Sequence, residues 1–143
     1  MNNKGATPVS LLSLLHTAYG AQAGVEARLD EIGLSLAKLL ALQALADAGE
    51  SLPLSQLADR LSCVKSNITQ LVDRLEADRL VMRKADPRDR RTRLAVLTAA
   101  GRKAFKEGTR IQKEAERDLL TTLTRDETHQ LAALLEKLNR QPG

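Results

Sequence analysis

Two aromatic side chains, Tyr19 and Phe105, and no tryptophan serve a chain of 143 residues. Sandwiches and barrels cover their sheets with aromatic and β-branched residues, so an apolar content of 43% made mostly of leucine and alanine predicts a mainly α fold. One cysteine, Cys63, excludes an internal disulfide framework. The two histidines, His16 and His129, have no metal-ligand spacing, and neither a metal nor a cofactor is expected. No glycine-rich phosphate loop and no convergent set of titratable groups occur, so no catalytic residue is named and an enzyme is not expected. No apolar run approaches the roughly 20 residues of a membrane span, and residues 1–30 lack the order of a signal peptide. The expectation is a cytoplasmic protein without a membrane partner, folded as one domain over residues 1–143.

What is present is positive charge in one place. The stretch DPRDRRTR, Asp86 to Arg93, has six charged residues in eight. From Arg83 to Arg93 six cations (Arg83, Lys84, Arg88, Arg90, Arg91, Arg93) face two anions, a local net charge of +4, and the whole chain is also +4. The rest of the chain therefore sums to zero, and the basic segment is a placed feature.

Periodicity supplies the elements around it. Val9, Leu12, Leu15, Ala18 and Tyr19 recur at helical spacing, Gly20 and Gly24 loosen the pattern, and Val25, Leu29 and Ile32 resume it, which predicts one long or broken helix. Ser35 suits the N-cap of a second helix with an apolar face through Leu36, Leu39, Leu40 and Leu45, stopped at Gly49. Pro53 suits the first turn of a short third helix whose Leu54, Leu57, Ala58 and Leu61 form one stripe. A fourth helix over VKSNITQLVDRLEADR gathers Val64, Ile68, Leu71, Val72 and Leu75 on one side. Its other side carries Ser66, Thr69, Gln70 and Asp73, flanked by Lys65, Asn67 and Arg74. A short helix, a turn and a polar-faced helix make a helix-turn-helix, whose second member normally enters the DNA major groove. Two short strands, with Leu80 and Met82 and then Leu94 and Val96 expected on the buried face, bracket the basic tip and make it a wing. Thr98 can cap a charged fifth helix interrupted at Gly108, and Leu131, Leu134, Leu135 and Leu138 stripe a last one.

This order resembles the MarR family of winged helix-turn-helix transcription regulators. The resemblance rests on residues 57–103, LADRLSCVKSNITQLVDRLEADRLVMRKADPRDRRTRLAVLTAAGRK, where the family pattern of LA, a turn, VTxLVDRLE, GLV, D-x-R-D-R-R and LT-x-x-G is met almost position by position. It implies a mainly α fold with a small β-hairpin wing, in which a winged helix-turn-helix lobe (35–98) is flanked by dimerisation helices (8–32 and 99–140). The implied function is a ligand-responsive homodimeric repressor on an inverted repeat in double-stranded DNA. The reading face then comprises Ser66, Asn67, Thr69 and Gln70, with Lys65 and Arg74 nearer the phosphates. Glutamine suits adenine through its paired donor and acceptor, and serine and threonine are less selective. The wing arginines Arg90 and Arg91 fall where similar proteins reach the minor groove, with Asp89 expected to orient the guanidinium and Arg88 also expected to contact DNA. The chain departs from the pattern at Arg79, where the family usually has a glycine that accepts a left-handed backbone.

Several residues carry two readings. Cys63 at the start of the fourth helix is either a redox switch, its thiol activated by the helix dipole, or a small packing residue. His16 and Tyr19 either line an effector cleft for a small molecule or pack at the dimer interface, and Arg28 is a further cleft candidate. The rival to the regulator reading is a winged-helix module that docks a protein through its polar helix and binds no specific DNA.

Overall fold

A computed structural model of the chain describes residues 8–61 and 67–140. Six helices and three strands follow in the order α1 (Leu11–Asp30), α2 (Leu36–Asp47), β1 (Ser51–Pro53), α3 (Leu54–Arg60), α4 (Ile68–Ala77), β2 (Val81–Ala85), β3 (Arg93–Leu97), α5 (Ala99–Leu120) and α6 (Arg125–Asn139). Helix α1 runs unbroken through Gly20 and Gly24. The sequence-predicted caps are in place, the Ser35 hydroxyl accepting from the Lys38 N–H and the Thr98 hydroxyl from the Gly101 N–H.

The core gathers around α2. Leu39, Ala41, Leu42, Ala44 and Leu45 are all buried, so this helix is apolar on most sides, not along one stripe. Leu29 of α1, Leu57 of α3, Leu71, Val72 and Leu75 of α4 and Ile111 of α5 close over it. Gly108 lets α5 cross α2 at close range, because a Cβ there would stand 2.7 Å from the Leu39 Cδ1 and 2.9 Å from the Leu34 Cδ1. The residue that interrupts the apolar pattern of α5 is thus its crossing point.

The sheet differs from the expected hairpin in two respects. It has three strands in the order β1-β3-β2, all antiparallel, and Pro53 ends β1 opposite Leu94 ahead of α3. An edge strand tolerates proline because one side of its backbone needs no ladder partner. The strands also show the opposite phase, with Val81, Ala95 and Leu97 facing the core while Met82 is 49% exposed. Leu80, read as the first strand residue, instead belongs to the turn that ends α4, and β2 begins one residue later. A one-residue slip exchanges the two faces of a strand.

Three helices end in the same motif. After α1, α2 and α4 the chain turns through a left-handed residue, and the next N–H returns to a carbonyl five residues back: Leu34 to Leu29, Glu50 to Leu45 and Leu80 to Leu75. The left-handed positions are Gly33, Gly49 and Arg79, with φ of 74°, 80° and 62°. Arg79 therefore adopts the glycine conformation and bears its strain without reshaping the turn.

That turn is the joint of the whole lobe. The Thr98 hydroxyl donates to the Arg79 carbonyl at 2.7 Å while accepting from Gly101, and the Thr98 N–H donates to the Leu80 carbonyl at 3.1 Å. A Cβ on Gly101 would clash with the Leu80 carbonyl and stand 2.7 Å from the Leu97 Cδ1. The sequence Leu97-Thr98-x-x-Gly101 is a buried anchor, a cap and a close approach that together join α4, the sheet and α5.

Candidate nucleic-acid interface

Helix α4 has a strongly two-sided character. Leu71, Val72 and Leu75 are buried, and Thr69, Gln70, Asp73 and Arg74 are exposed on the far side. It starts at Ile68, later than the sequence spacing predicts, because Asn67 is its N-cap. The Asn67 Oδ1 accepts from the N–H groups of Thr69 at 3.0 Å and Gln70 at 3.4 Å, so its side chain serves the helix end and does not stand on the helix face. Cys63, Lys65 and Ser66 lie outside the described residues. Of the predicted reading face, Thr69, Gln70 and Arg74 share one surface with Asn67 at its edge.

The wing tip is stiffened from inside. The Asp86 carboxylate accepts from the Arg88 N–H at 2.9 Å, and the Asp89 carboxylate from the Arg91 N–H at 3.0 Å and the Thr92 hydroxyl at 3.2 Å. Asp89 thus holds the turn backbone and, among the described residues, has no guanidinium within ion-pair distance. Short acidic side chains two residues before a free N–H form such turns readily. Arg88, Arg90, Arg91 and Arg93 are exposed and, among the described residues, have no carboxylate within ion-pair distance. Three of these guanidinium groups stand on the turn and the fourth, Arg93, at the start of β3.

Arg83, counted in the sequence only as part of the basic run, has a separate task. From β2 its guanidinium reaches Asp73 at 2.6 Å and Glu76 at 3.1 Å on α4, and its backbone N–H donates to the Glu76 Oε2 at 3.0 Å. The hydrogen bond to Asp73, reinforced by the charges of both carboxylates against a small burial penalty, raises its pKa above the ordinary arginine value. The clamp sets wing against helix and offsets one of the two negative charges beside the polar face. Asp73 and Glu76 one turn apart, followed by a cation three residues into the next strand run, were the available signal. Lys38 adds a second tie, pairing with Asp78 at the end of α4 at 2.8 Å.

The other candidates separate. Arg28 pairs with Asp118 at 2.6 Å in a groove of about 660 Å³ between α1 and α5, floored by Ala21, Val25 and Leu36. His16 and Tyr19 do not line that groove and stand exposed on the first half of α1, in the company of exposed Leu12 and Leu15. Among the described residues no group of three metal-ligating side chains stands together, and no helix is long and apolar enough to cross a membrane.

A protein-family model described as the MarR family matches residues 32–92, which span α2 to the wing. The HTH-type transcriptional regulator MhqR of Bacillus subtilis (strain 168) is 38% identical over 69 residues, 48% of this chain and 47% of its own length. The chain thus spans about half the length of that relative. The HTH-type transcriptional repressor MdtR of the same organism is 33% identical over 110 residues, 77% of this chain and 70% of its own length. A crystal structure of a probable transcriptional regulator from Pseudomonas aeruginosa has a TM-score of 0.78 at 30% identity, covering 87% of this chain and 92% of that one. The likeness thus extends beyond the helix-turn-helix to nearly the whole fold, and the chain belongs to the MarR family of winged helix-turn-helix transcription regulators.

Proposed function

We propose that this chain is a homodimeric repressor that binds an inverted repeat in double-stranded DNA and releases it when a small molecule binds. The carrying observation is the adjacency of the exposed polar face of α4 to four unpaired wing arginines, with Arg83 bracing one against the other. In this reading Ser66, Thr69 and Gln70 read base edges in the major groove, and Lys65 lies nearer phosphate. Asn67 presents the helix start, and Arg74 contacts phosphate. Arg90 and Arg91 enter the minor groove, where a narrow groove concentrates negative potential, and Arg88 stays near the backbone. The repressor assignment follows the relative MdtR, and a cytoplasmic location follows from the DNA target.

The dimer is built from residues 8–32 and 99–140, around the lobe at 35–98. Helix α6 has no buried residue, yet Leu131, Leu134, Leu135 and Leu138 stripe it at exposures of 38% to 57%, and Leu11 and Leu12 of α1 are 70% and 78% exposed. Apolar stripes on that scale need a cover, and a second copy supplies two of them at once. His16 and Tyr19 go to that interface, and Arg28 goes to the effector groove, where an anionic ligand would compete with Asp118. Cys63 is assigned to packing.

The test is to incubate the purified protein with sheared host DNA at near-physiological salt and sequence the retained fragments. A few fragments sharing an inverted repeat are expected, and Gln70→Ala should relax the base preference. Arg91→Ala should lower affinity on every site and reduce the salt slope by about 1. Uniform retention, or none, would instead support the protein-docking module.

A further inference from the structure

Between the start of α2 and the length of α4 lies a small pocket of about 190 Å³. Ser35 and Lys38 line it from α2, and Asn67, Gln70, Leu71 and Arg74 from α4 and its cap. The second group recurs at i, i+3, i+4 and i+7, one stripe of a helix, which sets these residues side by side along the pocket. Gln70 and Arg74 also belong to the exposed polar face of α4, so the pocket borders the reading face.

Its charge is of one sign. Lys38 and Arg74 are cations, and no carboxylate lines the pocket. Arg74 has no carboxylate within ion-pair distance among the described residues. Lys38 pairs with Asp78 at 2.8 Å, and its side chain is only 18% exposed. Its stem is therefore largely covered, and the ammonium is held in one place. An ammonium has three donors, so the bond to Asp78 leaves two for a second acceptor.

The backbone adds a donor. At the start of α2 the Leu36 N–H donates to the Glu26 carboxylate at 3.0 Å and the Lys38 N–H to the Ser35 hydroxyl at 3.2 Å. The Ala37 N–H between them, from a residue that also lines the pocket, has no hydrogen-bond partner among the described residues. A lysine, an arginine, a hydroxyl and a free first-turn N–H make the donor set that proteins turn towards nucleic-acid phosphates.

We propose that this pocket seats a single phosphate group, supplied in the DNA complex by one backbone phosphate of the strand that passes α4. Lys38 and Arg74 contact its oxygens, the Ala37 N–H donates to it, and Asp78 is the positioning residue that keeps the Lys38 ammonium in place. Half of this seat belongs to α2, outside the helix-turn-helix, so it fixes how far α4 slides along the groove and leaves the bases to Thr69 and Gln70. The source of the phosphate rests on the DNA-binding reading, whereas the affinity of the pocket for phosphate does not.

Two measurements test the seat. In the first, the ¹⁵N-labelled protein is titrated with inorganic phosphate at constant ionic strength, with chloride as the reference anion. Saturable amide shifts are expected at Leu36, Ala37 and Lys38 with an affinity of about 1 mM, and Lys38→Gln should abolish them while the rest of its spectrum is retained. No shift at these amides, or the same shift with chloride, would overturn the proposal. In the second, an operator duplex recovered from host DNA carries a neutral methylphosphonate at one backbone position at a time. One position in each half-site should cost the wild type about tenfold and cost Lys38→Gln nothing further, a coupling that follows from direct contact. Lys38→Gln should also lower the salt slope by about 1 for each head and keep the base preference that Gln70→Ala relaxes. Arg74→Gln, which has no ion pair to lose, should behave in the same way. Identical methylphosphonate profiles for wild type and both variants would remove the backbone phosphate from the seat. Failure of the wild type to retain any specific fragment would sink the DNA-binding reading, and the phosphate titration would then decide the seat alone.

Discussion

Two arginines a few residues apart do opposite things to the fold. Arg79 sits left-handed in a turn whose two counterparts, Gly33 and Gly49, are glycines, and its side chain is exposed. Relief of the Cβ strain outweighs the extra freedom that glycine brings to the unfolded chain. Arg79→Gly is therefore expected to raise stability by about 0.5–1 kcal/mol, read as a higher denaturant midpoint at unchanged slope. A lower midpoint would mean that the turn does not carry strain. Arg83 stabilises instead. Its partners are partly exposed, so Arg83→Met should cost only about 1 kcal/mol after allowing for solvent screening. Operator affinity should fall further than that cost explains, because the wing loses its brace. The salt slope should stay as in the wild type, since this guanidinium is spent on Asp73 and Glu76 and not on phosphate. A reduced slope would make Arg83 a direct phosphate ligand.

Among the elements, α6 is the one that its own sequence must hold. It buries nothing within the protomer, and its start is secured by a capping box in which the Thr124 hydroxyl accepts from the Glu127 N–H at 3.1 Å and the Glu127 carboxylate accepts from the Thr124 N–H at 2.9 Å. The bond from the Thr124 backbone, and then that residue's side chain, hold the Glu127 pKa below its ordinary 4.5. A carboxylate with a depressed folded pKa contributes stability that is present above the unfolded pKa and is lost as pH falls through the folded one. Amide exchange at the start of α6 should therefore quicken as pH drops below 4.5, after correction for intrinsic exchange, and Glu127→Gln should lack that acid limb. Equal profiles would show that the box does not secure the helix.

At the scale of the whole molecule the proposed dimer would join the exposed leucines of α1 and α6 to the work of the basic wing. A dimer fixes the distance between two reading heads, which must fit successive major grooves about 34–36 Å apart. Leu134→Glu is predicted to shift the sedimenting species from dimer to monomer at micromolar concentration, while the lobe core around α2, which Leu134 does not touch, keeps its amide protection. Operator binding should weaken with the loss of the second head. An unchanged dimer would move the interface off α6.

How much of this could be read in advance follows from the range of the forces involved. Helix caps, the two-sided pattern of α4 and the arginine-rich tip are short-range: Ser35, Thr98, Leu71, Val72, Leu75 and the run from Asp86 to Arg93 carried their meaning in the chain, and with them the winged helix-turn-helix. Phase and partnership were not local. Which face of β2 is buried depends on the left-handed turn at Arg79, and β1 exists only because β3 passes beside Ser51–Pro53. The Asp89 carboxylate holds the Arg91 N–H and the Thr92 hydroxyl because the turn brings both within 3.2 Å. Arg83 was one cation among six until folding set it against Asp73 and Glu76. The sequence by itself determined the elements and the place of the charge, because caps, periodicity and turn chemistry act within a few residues. Only the tertiary structure decided which cations are neutralised, which leucines stay bare and where the start of α2 makes a pocket with α4, because pairing and burial depend on neighbours from distant parts of the chain.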